Sequence, residues 1–500
     1  MTATLGIDLG TSGARAVVID TAGVVVAEAE ASYPLLTPRP GWAEQRPEEW
    51  WISVCDVARR VAGASRVPIE AIGLTGQMHG SVFLDSAGAS IRPALTWNDQ
   101  RTVEQADRIA DLIGPDRLVR ITGNVALTGF QAPKVVWLRD HEPDAYRRIA
   151  HVLLPKDFIR YRLTGDLATD PSDASGTLLL DLRHREWSAD VADALGIPRE
   201  WLPRIVESPA TTGVLMASVA AELGLRPGMP VAAGASDNAA AAIGSGIVRP
   251  GLVSSSIGTS GVLFAHVDAA TSDPTGRVHA FCHAIPSAYS LLGVTLSAGG
   301  SLGWWSDVMG ASLDQLVREA AATTPGAEGL LFLPYLIGER TPHLDPAARG
   351  AFVGLTIRHT RGHLTRAVME GVVLSLRAAA TVMRAAGVEI EELRATGGGA
   401  EVPLWRRLQA DILGLPIRRV VGAQGAAYGA ALIARVAAGH ATDLEIAIAG
   451  VRLSDEMDVP DASLAGRYDD LFGIYESLYG ATAAAMHGLG AVARADDRKT

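Results

Sequence analysis

The length, composition and charge of the chain limit what it can be. Its 500 residues suit roughly two to four domains, and 48% of them are hydrophobic while only 5% are aromatic. The formal net charge of −11 and a total of three lysines exclude a basic nucleic-acid-binding face. Cys55 and Cys282 cannot form a disulfide framework, and no charged-then-apolar leader opens the chain, so we expect a cytoplasmic protein. The uncharged stretch 278–306 is interrupted by histidines, Pro286, serines and glycines, which predicts no membrane span.

A turn of glycines and hydroxyl residues occurs twice. Residues 10–13 and residues 258–261 both read Gly-Thr-Ser-Gly, and apolar runs flank each copy, which predicts two hairpins. In such a turn, backbone N–H groups converge on one anion while the hydroxyls add uncharged donors. A single copy would more often be an ordinary tight turn. Because the turn is duplicated, we predict two phosphate-binding loops.

The two copies differ at the residue two positions before the turn. This residue is Asp8 in the first copy and Ser256 in the second. A carboxylate beside a phosphate loop repels the phosphate unless a divalent cation lies between them. The first copy therefore predicts the metal side of the site.

Further segments are similar between the two halves of the chain. Residues 71–77 and residues 393–398 both read as a strand that runs into Thr-Gly. Residues 230–243 and residues 416–433 both read as a strand followed by an alanine-rich helix. Because the spacing between matched segments differs, the halves share a plan and carry different insertions. We predict two related α/β lobes with a ligand cleft between them.

The boundary between the lobes is predicted in residues 244–251, where glycines and a proline can absorb a hinge rotation. This places residues 1–246 in an N-terminal lobe and residues 247–500 in a C-terminal lobe. Residues 442–466 read as a loop-rich connection, and residues 468–493 have the apolar spacing of a helix.

Two polar segments follow predicted strands of the N-terminal lobe. Asp237 stands at the start of the alanine-rich helix, where local sequence favours a helix cap and a catalytic carboxylate about equally. The predicted cleft favours catalysis, because α/β enzymes place reactive groups at the carboxyl ends of strands. Met78 and His79 lie in the second segment, which offers groups suited to sugar hydroxyls. A single histidine after a strand is more often structural, so its place at the repeated strand end is what favours binding.

Three other patterns resemble ligand-binding motifs. His279, Cys282 and His283 have the spacing of zinc ligands, but no second cluster completes the site, so we expect no zinc. The glycine pattern at 488–493 lies in a helical stretch without a preceding strand, which argues against a dinucleotide fingerprint. The glycines at 397–399 would let adenine or ribose approach bare backbone, although three glycines also suit a flexible turn.

The chain resembles the FGGY family of carbohydrate kinases, most closely its xylulokinase members, over nearly its whole length. The runs that carry this resemblance are Gly6-Ile7-Asp8-Leu9-Gly10-Thr11-Ser12, Gln77-Met78-His79-Gly80, Trp97-Asn98-Asp99, Ile121-Thr122-Gly123-Asn124, Ala132-Pro133-Lys134, Leu154-Pro155-Lys156-Asp157, Asp237-Asn238-Ala239-Ala240, Gly338-Glu339-Arg340-Thr341-Pro342-His343 and Gly397-Gly398-Gly399. The resemblance implies an α/β fold of two actin-like, ribonuclease-H-like lobes. It places sugar and metal on the N-terminal lobe and nucleotide on the C-terminal lobe.

The resemblance also implies roles for individual residues. Asp237 would be the catalytic base, and Asp8 would be the catalytic carboxylate that holds Mg²⁺. The implied sugar contacts are Met78, His79, Asp237 and Asn238. The implied nucleotide contacts are Gly10, Thr11, Ser12, Gly258, Thr259, Gly398 and Gly399. Arg15 and Gln424 depart from the lysine and the acidic residue that many relatives carry on the nucleotide side.

The implied reaction is ATP-dependent phosphorylation of D-xylulose at its terminal hydroxyl, giving D-xylulose 5-phosphate. The expected partners are therefore a small-molecule sugar and Mg-ATP, without nucleic acid or membrane. Trp42, Trp50 and Trp51 surround a charged run, which favours buried or subunit contacts and leaves a homodimer open. One alternative is a kinase for another ketopentose or a polyol. Another is an actin-like or chaperone-like ATPase, which the Gln77-to-Gly80 segment and Asp237 disfavour.

Overall fold

The computed structural model describes residues 2–422 and 425–497, so Gln424 lies outside the described residues. The strands are β1 (Ala3–Leu9), β2 (Gly13–Asp20), β3 (Val25–Ser32), β4 (Glu44–Gln45), β5 (Ile69–Gly76), β6 (Val82–Leu84), β7 (Ala94–Leu95), β8 (His151–Leu153), β9 (Ala168–Thr169), β10 (Leu180–Asp181), β11 (Glu186–Trp187), β12 (Arg204–Ile205), β13 (Thr211–Val214), β14 (Pro230–Ala232), β15 (Ala235–Ser236), β16 (Gly251–Ile257), β17 (Gly261–Val267), β18 (His279–Cys282), β19 (Tyr289–Thr295), β20 (Leu331–Leu333), β21 (Ala351–Val353), β22 (Ile390–Thr396), β23 (Ile417–Val421) and β24 (Arg452–Asp458). The helices are α1 (Pro47–Ala64), α2 (Val103–Ile113), α3 (Pro115–Thr122), α4 (Gln131–His141), α5 (Pro143–Tyr146), α6 (Pro155–Thr164), α7 (Pro171–Ala174), α8 (Ala189–Leu195), α9 (Ala217–Leu223), α10 (Asp237–Gly244), α11 (Gly299–Met309), α12 (Leu313–Ala321), α13 (Arg361–Ala385), α14 (Pro403–Leu413), α15 (Ala426–Ala437), α16 (Leu444–Ala447) and α17 (Ala465–Asp497).

Two large sheets share one strand arrangement. The first has the order β13-β14-β5-β1-β2-β3, with β1 parallel to β5 and antiparallel to β2. The second has the order β24-β23-β22-β16-β17-β19-β18, with β16 parallel to β22 and antiparallel to β17. The hairpin β1-β2 therefore corresponds to β16-β17, and each Gly-Thr-Ser-Gly turn is the loop of its hairpin. The predicted duplication of an α/β unit is confirmed.

Helix α15 comes from the second half of the chain and packs against the first sheet and against α10. A Cβ atom on Gly6 would lie 2.0 Å from the carbonyl oxygen of Ala427, and one on Gly429 would lie 1.7 Å from that of Ala240. Only glycine allows backbones to approach this closely. The alanine-rich sequences of the two helices thus reflect a tight junction between the halves.

The connection between the halves runs from the end of α10 to the start of β16. Gly246 has a φ of +72° within it, which suits glycine. Arg394 on β22 donates hydrogen bonds to the carbonyl oxygens of Ser245 at 2.8 Å and Gly246 at 2.7 Å. The connection is therefore held against the second sheet by one arginine.

The C-terminal region differs in part from its prediction. The stretch 442–466 contains α16 and the strand β24, which pairs antiparallel with β23. Because β24 lies at a sheet edge and carries mainly charged residues, it lacks the apolar alternation that marks a strand. The helix predicted over 468–493 is confirmed within α17, and the glycine pattern at 488–493 lies inside it.

Trp50 is buried, as its segment predicted. No helix in the described ranges has both the length and the apolar character needed to cross a membrane.

Candidate active site

Asp8 and Asp237 lie at the same edge of the first sheet. Asp8 is near the end of β1 and pairs with Thr75 of β5, which in turn pairs with Ala235 of β15. Asp237 follows β15 directly as the first residue of α10. Ser236 caps this helix, because its hydroxyl accepts a hydrogen bond from Ala239 N. The side chain of Asp237 is therefore free of the capping role that local sequence left open.

Burial shifts the titration of both carboxyls. It raises the pKa of Asp8 to about 7, the negative charge of Asp237 adds to this rise, and the positive charge of Arg15 opposes it. Burial also raises the pKa of Asp237 to about 6, although hydrogen bonds from Asn238 favour its charged form. Arg15 itself forms an ion pair with Glu28 at 2.7 Å on the solvent side of the hairpin.

The Asp8 carboxylate fits a divalent cation. Its Oδ1 atom is buried and has no hydrogen-bond partner among the described residues. Mg²⁺ is typically held by one or two carboxylates together with substrate phosphates and water, rather than by a full protein cage. No group of three or more His, Cys, Asp or Glu side chains in the described ranges is arranged to hold a metal.

Two hydrogen bonds hold His79 in a fixed orientation. Its backbone has a φ of +69°, which non-glycine residues rarely adopt. The Lys134 ammonium donates to the carbonyl oxygens of His79 at 2.9 Å and of Gly129, which stabilises this conformation. His79 Nδ1 donates to the carbonyl oxygen of Gly176 at 2.6 Å. Burial lowers the pKa of His79 to about 3, so the ring is neutral and its Nε2 atom is a hydrogen-bond acceptor.

The predicted sugar contacts lie side by side. Asn238 Nδ2 donates to Asp237 Oδ1 at 3.0 Å and lies 3.7 Å from Met78 Sδ. Met78 is buried and precedes His79 in the chain. The four residues therefore form one continuous surface with a carboxylate at one end and an imidazole at the other.

Three side chains from other segments form hydrogen bonds with the first predicted phosphate loop. The carbonyl oxygen of Gly10 accepts a hydrogen bond from Tyr33 Oη, and that of Thr11 accepts one from Gln45 Nε2 at 2.7 Å. Trp97 Nε1 donates to Thr11 Oγ1 at 2.9 Å. These three supporting side chains were not predicted as site residues. Ser12, at the tip of the loop, is exposed.

The second loop lines a cavity of about 720 Å³. The predicted nucleotide residues that line this cavity are Gly258, Thr259, Gly398 and Gly399. Leu302, Val402 and Trp405 supply an apolar part of the wall that suits a flat aromatic base. The C-terminal nucleotide contacts predicted from the sequence are thus brought together, although about 140 residues separate Thr259 from Gly398.

Comparison with known proteins agrees with this arrangement. The model for the N-terminal domain of the FGGY family of carbohydrate kinases matches residues 3–244, and the model for its C-terminal domain matches residues 253–438. The chain belongs to the FGGY family of carbohydrate kinases. The first sheet accordingly belongs to the N-terminal FGGY domain, which carries Asp8 and Asp237, and the second sheet lies mainly in the C-terminal FGGY domain.

Individual FGGY kinases match nearly the whole chain. A xylulose kinase of Lactococcus lactis is 38% identical, covering 98% of this chain and 99% of its own. A xylulose kinase of Escherichia coli is 40% identical, covering 95% and 98%. The crystal structure of a xyloylose kinase from Brucella ovis is 40% identical and superposes with a TM-score of 0.92, covering 97% of this chain and all of its own. The mixed α/β, two-domain FGGY fold predicted from the sequence is confirmed.

Sequence reasoning missed polar residues on the second-domain side of the FGGY site. His279 Nδ1 lies 2.9 Å from Asn124 Oδ1, and Arg340 Nη1 lies 3.4 Å from His279 Nε2. Asn124 and Arg340 both occur in the motifs that carry the family resemblance. Both contact His279, whose ring packs with that of His79 against Phe130 and Phe281.

Proposed function

We propose that this chain transfers the γ-phosphoryl group of ATP to the terminal hydroxyl of D-xylulose, giving D-xylulose 5-phosphate. The observation that carries the proposal is the place of Asp237, which caps no helix, accepts a hydrogen bond from Asn238 beside Met78, and lies close enough to Asp8 for its charge to raise the pKa of Asp8. The names and high coverage of the relatives from L. lactis and E. coli support the choice of sugar.

In the proposed mechanism, Asp237 accepts the proton of the sugar hydroxyl as its oxygen forms a bond to the γ-phosphorus. The bond between that phosphorus and the bridging oxygen breaks, and ADP carries the electron pair away. Asn238 orients the Asp237 carboxylate through its side-chain and backbone N–H groups. Thr11, Ser12 and Thr259 donate hydrogen bonds to phosphate oxygens. Gly10 and Gly258 instead let the phosphates approach the backbone, because their own N–H groups donate to the carbonyl oxygens of Gly13 at 2.9 Å and Ser260 at 3.0 Å. Mg²⁺, when held at Asp8, supplies charge neutralisation on the phosphates.

A coupled assay of ADP release tests the proposal across D-xylulose, L-ribulose, gluconate, xylitol and glycerol. D-xylulose is expected to have the largest kcat/KM, because buried polar groups reject analogues that leave them unpaired. A larger kcat/KM for any other compound in this set would overturn the choice of D-xylulose as substrate, but the assignment as a sugar kinase would stand. ATP turnover that does not depend on any sugar would instead favour the ATPase alternative.

Replacing Asp8 by Asn should make the reaction need more magnesium. The substitution keeps the size of the side chain and removes the charge at the Oδ1 atom that has no protein partner. We expect the magnesium concentration at half-maximal rate to rise at least about tenfold, as for other losses of metal-site partners. Ser256→Ala, at the matching position of the second hairpin, is the control and should leave the magnesium dependence unchanged. An unchanged dependence in Asp8→Asn would refute the metal role.

Further features of the chain complete the proposal. We propose a division into residues 1–246 and 247–500 with a hinge at the connection that Arg394 holds, so that sugar binding closes the two domains. We also propose a cytoplasmic enzyme that acts on small molecules only and that assembles as a homodimer.

A further inference from the structure

Three side chains form a directed hydrogen-bond chain from the first domain into the second. Asn124 Nδ2 donates to the carbonyl oxygens of Ala280 at 2.8 Å and Thr122 at 3.2 Å, which identifies the other amide atom as the acceptor Oδ1. His279 Nδ1 must therefore donate to Asn124 Oδ1. This leaves His279 Nε2 as the acceptor for Arg340 Nη1. The guanidinium of Arg340 is thus oriented by residues that lie far apart in the sequence.

This chain reaches the proposed sugar surface at His79. The rings of His79 and His279 both pack against Phe130, with centroid distances of 4.8 Å and 6.0 Å. Both also pack against Phe281, at 5.9 Å and 5.6 Å. The contacts link these groups in the order Asp237, Asn238 with Met78, His79, and then His279 with Arg340. Arg340 is thus linked to the surface on the side of His79 and His279, whereas Asp237 contacts Asn238.

The Arg340 guanidinium forms no direct ion pair in the described part of the chain, although the charge of Glu339 partly opposes the effect of its burial. Its neighbour Glu339 accepts hydrogen bonds from Leu296 N at 2.9 Å, from the backbone N–H of Arg340 at 2.7 Å and from Ser375 Oγ at 3.3 Å. The contact with His279 uses only one of the five guanidinium N–H groups. Burial lowers the pKa of the guanidinium, which means that its charge is held in a partly desolvated place. Unused donors on a desolvated cation beside a sugar surface need an acceptor.

We propose that Arg340 is a specificity-determining residue that donates hydrogen bonds to the carbonyl end of the ketose, and that His279 and Asn124 are its positioning residues. The proposal rests on the function proposed above. Phosphorylation places the terminal hydroxyl beside Asp237, so an extended ketose directs its carbonyl toward the opposite end of the surface. A guanidinium only donates and a ketone oxygen only accepts, which makes them complementary. A polyol has a hydroxyl at this position. A hydroxyl both accepts and donates, so its own proton also needs an acceptor, which the guanidinium does not offer.

The direct test compares Arg340→Gln and Arg340→Lys with the unmodified chain. Losing a charge-assisted hydrogen bond in a desolvated site should raise KM and Kd for D-xylulose about tenfold to a hundredfold in Arg340→Gln. The KM for ATP should stay within about twofold, because the residue lies on the sugar surface. In Arg340→Gln, the kcat/KM for D-xylulose divided by the kcat/KM for xylitol should fall at least about tenfold. In Arg340→Lys, this ratio should fall less. Arg277→Gln is the matched control, since the side chain of Arg277 is partly exposed and pairs with the buried Asp273 at 2.8 Å.

A second pair of variants keeps Arg340 and changes only its support. A glutamine at position 279 can present an acceptor where His279 Nε2 lies, whereas an asparagine can replace only Nδ1. His279→Gln should therefore retain the preference for D-xylulose over xylitol, and His279→Asn should lose much of it at a similar melting temperature. If the unmodified chain phosphorylates D-xylulose while both Arg340 variants keep the KM, the Kd and the xylitol ratio, the role of Arg340 is overturned and the proposed function stands. If the unmodified chain does not phosphorylate D-xylulose, the proposed function and this inference both fail.

Discussion

Asp237→Asn is expected to lower kcat with D-xylulose by at least about 100-fold, the lower end for loss of a general base. The amide has nearly the same shape as the carboxylate but cannot accept the proton of the sugar hydroxyl. Because Ser236 caps α10, the substitution removes no capping hydrogen bond. ATP binding, measured by titration calorimetry, should therefore be retained. A kcat within a few-fold of that of the unmodified chain would refute the assignment of the base.

The pH dependence of the same residue supplies an independent measurement. Burial raises the pKa of Asp237 to about 6, and a base works only when deprotonated. The kcat/KM of the unmodified chain should thus fall as pH is lowered through about 6, and the residual rate of Asp237→Asn should lack this limb. A raised carboxyl pKa also means that the charged form costs stability above the ordinary carboxyl range. The variant should therefore melt at the same or a higher temperature at pH 8. Ser236→Ala is the structural control and should lower stability by about 1 kcal/mol with a far smaller loss of kcat.

The duplicated hairpins could be predicted because their signals are local. Each Gly-Thr-Ser-Gly turn and its flanking strands occupy fewer than about 20 residues, so the pattern and the structure coincide. The place of Asp8 before the first turn also gave its proposed metal role from charge alone. The role of Asp237 was ambiguous, because Ser236 and Asp237 are both good caps. Only the folded backbone shows that Ser236 takes that role.

The second-domain side of the site could not be predicted, because it depends on contacts between distant segments. Asn124 and His279 are separated by 155 positions, and Arg340 is 61 positions further on. The periodicity of helices and strands gives no information about contacts between segments this far apart in the sequence. The strand β24 was missed for a different reason, since a charged edge strand resembles a loop.

A cluster of buried charges around Lys156 is connected by hydrogen bonds to the backbone next to Asp237. Lys156 Nζ lies 2.6 Å from Asp157 Oδ1, 2.9 Å from Asp170 Oδ1 and 3.5 Å from Asp173 Oδ2, and all four side chains are buried. Asp170 Oδ2 accepts a hydrogen bond from Ser172 Oγ at 2.5 Å. Ser172 Oγ in turn accepts one from the backbone N–H of Ser236 at 3.0 Å, the residue before Asp237. The Lys156 ammonium thus pairs with Asp170, the carboxylate that is linked through Ser172 to the start of α10.

Lys156→Met is therefore expected to reduce the free energy of unfolding by about 3–5 kcal/mol, the usual result of removing one partner of a buried ion pair. Methionine fills similar space, so the loss reflects carboxylates left without their cation. Burial holds the pKa of Asp173 well above its ordinary value, and Lys156 opposes that rise. Without the lysine the pKa rises further, so the loss should be larger at high pH and shrink as pH falls through the raised pKa of Asp173, which lies above the ordinary carboxyl range. Urea unfolding at pH 5 and pH 8 measures both effects. Arg59→Met breaks an exposed ion pair with Glu222 and should cost at most about 1 kcal/mol, so an equal loss in the two variants would contradict the role of burial.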